Sequence, residues 1–216
     1  MGAVVFLAAP SNAQTSAPAA TATPANATQV LDHIQAYWKN LQSYQVPVTM
    51  QGSVKVSFIS VPFSMDGTEY FRAPNQTKLK MNNVPSLAKG FEDTMANMGT
   101  PETWPKVYDI VLKGTATRKG HLDYVLYGVP RKPANVKNVT MWVNARTYAI
   151  VSVAINYNNG ASLELDLNHR GDSPYHLPTS IGVQANFPQY KGSATITYGK
   201  YQTNVPIPDS AFEPSR

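Results

Sequence analysis

Apolar and polar residues alternate from Val46 to Phe58. Val46, Val48, Met50, Val54, Val56 and Phe58 share one parity, and Thr49, Gln51, Ser53, Lys55 and Ser57 share the other. Successive strand side chains point to opposite faces, so this is a long strand with one apolar and one polar face. A second run, Val61 to Arg72, follows through a change of parity near Ser60, with Asp66-Gly67 as a candidate turn or bulge. Thr77–Met81 sets Leu79 and Met81 against Lys78 and Lys80. The beat returns in Tyr108/Ile110/Leu112, Leu122/Tyr124/Leu126, Val139/Met141/Val143 and Val151/Val153/Ile155/Tyr157. It continues in Ala161/Leu163/Leu165/Leu167, Leu177/Ile181/Val183 and Ala194/Ile196/Tyr198. Asn158-Asn159-Gly160 is a hairpin signal, because these residues tolerate positive φ.

Two segments keep a helical period instead. Leu31, Ile34, Trp38 and Leu41 recur at spacings of three and four, which predicts an amphipathic helix over residues 29–43 with Thr28 as its N-cap. Leu87, Phe91, Met95 and Met98 mark one face of a second helix from Ser86 to Met98. Gly90 weakens that helix by roughly 1 kcal/mol relative to Ala. Gly99 stops it, and Pro101 and Pro105 bracket a loop that carries Trp104. About ten strands and two helices predict an α+β fold: a curved antiparallel β-sheet, a half-open barrel, with helices covering the concave face.

Composition agrees with an exported β-rich chain. Only 14% of the 216 residues are charged, and 12 are Tyr and 17 Pro. Val4 to Ala9 is a short apolar run, and Ser11-Asn12-Ala13 offers small residues for signal peptidase, so residues 1–13 read as a signal-peptide remnant. A basic segment ahead of the run is missing. Residues 14–28 are an Ala/Thr/Pro leader without periodicity, read as disordered, and residues 29–216 form a single domain. The chain has no cysteine, which removes disulfides, thiol chemistry and lipid attachment at a lipobox. The formal net charge of +5 comes from scattered bases, and the pairs Arg118-Lys119 and Arg131-Lys132 fall where turns are expected. With no recognition helix or stacking motif beside them, these are solvated turn residues, and a nucleic-acid partner is not expected. A weak attraction to anionic membrane surfaces or an acidic partner is compatible with the charge.

Catalytic and metal signatures are absent from the sequence. His33, His121, His169 and His176 have no zinc-ligand spacing. No nucleophile elbow, phosphate-binding glycine loop or dinucleotide fingerprint occurs. Glu164 and Asp166 share a strand face and read as solvated carboxylates. The chain is therefore expected not to be an enzyme and to need no cofactor or metal. What remains is hydrophobic binding on the concave sheet. Met95 and Met98 suit a cover that repacks around variable ligands, and equally a filled core.

Three segments carry a resemblance. Met65-Asp66-Gly67-Thr68-Glu69-Tyr70-Phe71-Arg72-Ala73-Pro74-Asn75 resembles the strand, arginine and proline segment of the outer-membrane lipoprotein carrier family, the LolA-like and lipoprotein-sorting proteins. Val139 to Thr147 resembles that family's strand ending in an Asp/Asn turn with a basic residue and Thr. Tyr198 to Phe212 is similar to its closing strand and Asp-Ser-x-Phe end. The resemblance spans about residues 29–213. It implies a soluble, monomeric periplasmic carrier of a lipid or lipoprotein acyl chain, served by an inner-membrane exporter and an outer-membrane acceptor. Relatives with the same fold act as lipid sensors, so an envelope protein-interaction or lipid-sensing module is the alternative. The resemblance also implies a lid latch at Arg72, although Ala73 separates it from Pro74 where the family has the two adjacent.

The hydrophobic wall is expected at Val54, Val56, Phe58, Phe71, Leu163, Leu165 and Leu167, and the lid at Leu87, Phe91, Met95 and Met98. Trp104 is either a gate or a core anchor.

Overall fold

The computed structural model describes residues 26–82, 84, 100–171 and 174–213. The signal-peptide remnant, nearly all of the leader and the helix carrying Leu87, Phe91, Met95 and Met98 lie outside these residues.

Helix α1 spans Ala27–Trp38, two residues earlier at its start than the period suggests. Asn26 is the N-cap, its side chain accepting from the Gln29 N–H at 3.1 Å, and Thr28 lies inside the helix. The helix ends before Leu41, whose N–H reaches back to the Trp38 carbonyl at 2.9 Å. Leu41 is buried all the same, which is why it kept the helical beat.

The strands follow as β1 (Ser43–Val56), β2 (Ile59–Arg72) and β3 (Gln76–Met81). After a short helix α2 (Trp104–Val107) come β4 (Tyr108–Arg118), β5 (His121–Pro130), β6 (Val136–Asn144) and β7 (Ile150–Tyr157). The series ends with β8 (Ser162–Asn168), β9 (Ser180–Phe187), β10 (Tyr190–Tyr198) and the two-residue β11 (Gln202–Thr203). All belong to one sheet in the order β3-β2-β1-β10-β9-β8-β7-β6-β5-β4, and β11 pairs with the start of β1. Every pairing is antiparallel. The curved antiparallel sheet read from the alternation is the observed architecture.

Local chemistry explains the turns. The parity change near Ser60 is a two-residue hairpin: Val56 pairs with Ile59 across Ser57-Phe58, and Ser57 takes φ 56°. Asp66-Gly67 is neither a turn nor a bulge; β2 runs straight through it, with Thr49 opposite Asp66 and Val48 opposite Gly67. The glycine meets a different need there, since a Cβ on Gly67 would fall on the Lys80 carbonyl of β3. The β7–β8 hairpin turns at Asn158–Gly160 as the sequence predicts, with Gly160 at φ 81°. A register shift between Leu112 and Gly114 breaks the even pairing of β4 with β5.

The concave side holds two apolar clusters. In one, Val46, Val48 and Met50 of β1 pack with Met65 and Phe71 of β2, Leu163 and Leu165 of β8, and Ile181 and Ile196 from β9 and β10. In the other, Val30, Leu31 and Ile34 of α1 pack on Tyr124 and Leu126 of β5 and Met141 and Val143 of β6. Each such side chain contributes about 1.5–3 kcal/mol on burial. The helix thus covers one part of the curved sheet and leaves a hollow beside it.

Candidate functional site

That hollow is a cavity of about 210 Å³ on the concave side. Its floor is Leu126, Met141, Val153, Leu165 and Leu167, projected from β5 to β8 by the strand alternation. Thr77 and Leu79 of β3 and Tyr108 and Ile110 of β4 also line it. These strands are the two ends of the sheet, so the sheet curls far enough to bring both onto one space. Trp38 at the end of α1 and Trp104 at the start of α2 complete the wall. The Gln35 side-chain amide donates to the Pro101 carbonyl at 3.1 Å and ties α1 to the segment before α2.

One carboxylate interrupts this apolar lining. Glu69 lies on the interior parity of β2, between Gly67 and Phe71 and opposite Val46 and Leu79. The Tyr44 hydroxyl donates to its Oε1 at 2.5 Å, and the Tyr198 hydroxyl to its Oε2 at 3.2 Å. Desolvation pushes the Glu69 carboxyl above its ordinary range, and the two tyrosine hydrogen bonds offset part of that rise. Burial, followed by the nearby Glu69 charge, pushes the Tyr44, Tyr198 and Tyr201 phenols up. The rings form a connected aromatic surround. Tyr44 stacks on Phe71 at 5.3 Å between centroids and meets Tyr201 edge-on at 5.4 Å, and Phe71 meets Trp38 edge-on at 5.6 Å. Glu69 is half-buried, and the surface it keeps borders the cavity.

The residues expected at the wall separate into groups. Phe71, Leu165 and Leu167 line the cavity. Leu163 is buried in the packed layer beside it. Val54, Val56 and Phe58 do not reach it: they lie toward the tip of the β1–β2 hairpin, where Phe58 is 86% exposed. Parity assigned a face to these residues, but it carries no information on how far along the strand the covering layer extends. Trp104 lines the cavity and is half-buried. Arg72 lies elsewhere and holds the C-terminal segment. Its Nη1 meets Asp209 Oδ1 at 2.6 Å, its Nε donates to Gln76 Oε1 at 2.6 Å, and its guanidinium sits 4.6 Å from the Phe212 ring centroid.

Glu69, Tyr44, Tyr198 and Tyr201 escaped the sequence reading. A signal for Glu69 existed, because the alternation that places Phe71 inside also places Glu69 there. Among the described residues no group of three or more His, Cys, Asp or Glu is placed to hold a metal ion. His33 stacks on Tyr148 at 4.1 Å, His176 on Tyr37 at 3.6 Å, and the His169 ring hydrogen-bonds the Ile150 carbonyl at 2.7 Å. Among the described residues no helix is long and apolar enough to cross a membrane.

No family model and no curated protein matches the chain. Solved structures do. A LolA superfamily protein from Nitrosomonas europaea is 13% identical, with 88% of this chain and 99% of that one covered and a TM-score of 0.58. A structure named for an outer membrane lipoprotein-sorting protein domain, from Vibrio parahaemolyticus, is 10% identical, covers 85% and 94% of the two chains, and has a TM-score of 0.60. A DUF1329 family protein from Desulfovibrio piger is 13% identical over 86% and 96%, with a TM-score of 0.58. At these identities the likeness is one of fold, and the fold is that of LolA superfamily and lipoprotein-sorting structures.

Proposed function

We propose that the cavity binds the acyl chain of a lipid or lipoprotein, and that the protein is a non-enzymatic periplasmic carrier or binder of that cargo. The observation that carries this reading is the apolar hollow between the sheet and the two tryptophans, lined from both ends of the sheet. Hydrocarbon entering it leaves water at a gain of about 0.8 kcal/mol per methylene. The Nitrosomonas and Vibrio structures named above support the reading through the shared fold. Phe71, Leu165 and Leu167 form the wall in this proposal, and Trp104 borders the opening. An inner-membrane exporter and an outer-membrane acceptor are the partners such a carrier requires.

A fluorescent fatty-acid or lipopeptide probe tests it. The protein is expected to bind the probe saturably. Leu167→Trp, which fills the cavity from its half-buried floor, is expected to weaken binding about tenfold or more while the circular dichroism spectrum keeps its β-sheet shape. Absence of saturable binding, or equal binding by the filled variant, contradicts the proposal.

A further inference from the structure

The polar corner of the cavity has a definite sign. Among the described residues that line it, Glu69 is the single carboxylate, and there is no lysine, arginine or histidine. The Tyr44 and Tyr198 hydroxyls already give their protons to Glu69, and the Tyr201 hydroxyl gives its own to the Pro178 carbonyl at 2.7 Å. An ionised carboxylate offers about four acceptor positions, and two are taken. With Glu69 ionised, the unused hydrogen-bonding capacity of Glu69 and these three tyrosines is therefore acceptor, while the Thr77 and Tyr108 hydroxyls on the same lining can donate or accept. Aromatic rings around it favour a nearby cation over an anion.

We propose that the cavity selects an alkyl chain whose polar end is a protonated primary amine, seated on Glu69 between Tyr44, Tyr198 and Tyr201. The inference rests on the hydrocarbon-binding reading above and adds the chemistry of the head. An ammonium donates to the free acceptor positions and supplies the counter-charge that the wall lacks. A carboxylate or phosphate in the same place meets Glu69 as a like charge, and the three tyrosine hydroxyls beside it have already given their protons away. The hydrocarbon tail then lies toward Leu126, Val153 and Leu165, away from the polar corner.

Calorimetric titration of the full chain and of Glu69→Gln with n-decylamine, n-decanol and decanoate at neutral pH tests this. These probes share a chain length and differ in the head. The wild-type protein is expected to bind decylamine about tenfold or more tighter than decanoate, the ratio that a charge-assisted hydrogen bond supports. In Glu69→Gln the ratio is expected to fall to within about twofold, while decanol still binds saturably and the circular dichroism spectrum is unchanged, the check that the cavity is intact. Decanoate binding as tightly as decylamine to the wild type overturns the proposal, whatever the stability of the variant, and leaves hydrocarbon binding standing. An amine preference that survives in a variant that still binds decanol removes the assignment to Glu69. Failure of all three probes to bind the wild type overturns the hydrocarbon reading together with this one.

Discussion

Glu69 is a charged residue type on the apolar face of β2, flanked along that face by Gly67 and Phe71 and bonded by two tyrosines. Burial holds its carboxyl above the ordinary range in the folded protein, and the hydrogen bonds only partly counter this. At low pH folded and unfolded chains both carry the proton, and Glu69 adds no pH dependence. As pH rises through the ordinary carboxylate range the unfolded chain ionises first and binds fewer protons than the folded one. Stability contributed at this site is therefore full in acid and is lost until pH passes the raised folded value. Urea denaturation is expected to show the stability of Glu69→Gln, relative to wild type, increasing from acid to neutral pH; a difference that does not change with pH contradicts the argument. Two apolar residues of the expected wall make a sharper contrast. Leu165 is 1% exposed and buried in the floor of the cavity, so Leu165→Ala is expected to cost about 2–5 kcal/mol in the same assay. Phe58 is solvent-facing, so Phe58→Ser is expected to change stability by less than about 0.5 kcal/mol. The alternation in the sequence scored these two residues alike, because a period of two reports face and not depth.

Among elements, the C-terminal segment is joined to the β2–β3 end of the sheet. Arg72 pairs with Asp209 and lies near the Phe212 ring, and Lys80 Nζ donates to the Ser210 carbonyl at 2.8 Å. Two of the three segments that carry the sequence resemblance thus meet in space. The Arg72–Asp209 pair is partly exposed, with the Asp209 side chain 88% accessible, so its coupling is small. A double-mutant cycle is expected to give less than about 1 kcal/mol, falling as salt is added; a coupling above about 2 kcal/mol contradicts this. Gly67 is the stronger constraint, since any Cβ there meets the β3 backbone. Gly67→Ala is expected to cost about 1–3 kcal/mol and to speed hydrogen exchange first in β3, the edge strand beside it; unchanged exchange in β3 contradicts that account. At this scale most of the architecture was legible. Alternation located the strands, and the Asn-Asn-Gly turn located the β7–β8 hairpin. The end of α1 was not legible, because Leu41 lies in the connection to β1 and is buried in the apolar cluster there while matching a helical spacing. The role of Gly67 was hidden too, because close backbone approach and a turn select the same residue.

For the whole molecule, the decisive feature is that an open sheet of antiparallel strands curls until β3 and β4 border one cavity, with α1 filling only part of the concavity. The alternating pattern made a covered concave face legible. It could not reveal that Tyr44, Glu69 and Tyr198 from three different strands converge, since that depends on pairing register between distant segments: β1 lies between β2 and β10. The three tryptophans offer a direct readout of the cavity. Trp38 and Trp104 line it, whereas Trp142 is absent from its wall and lies under the Arg118 guanidinium, 4.2 Å from its ring centroid. Titration of single-tryptophan variants with a bromine-labelled fatty acid or alkylamine is the most direct test of acyl-chain binding in this cavity. Saturable quenching of Trp38 and Trp104, with Trp142 spared, is the predicted result. Absence of quenching, or quenching confined to Trp142, would contradict the account.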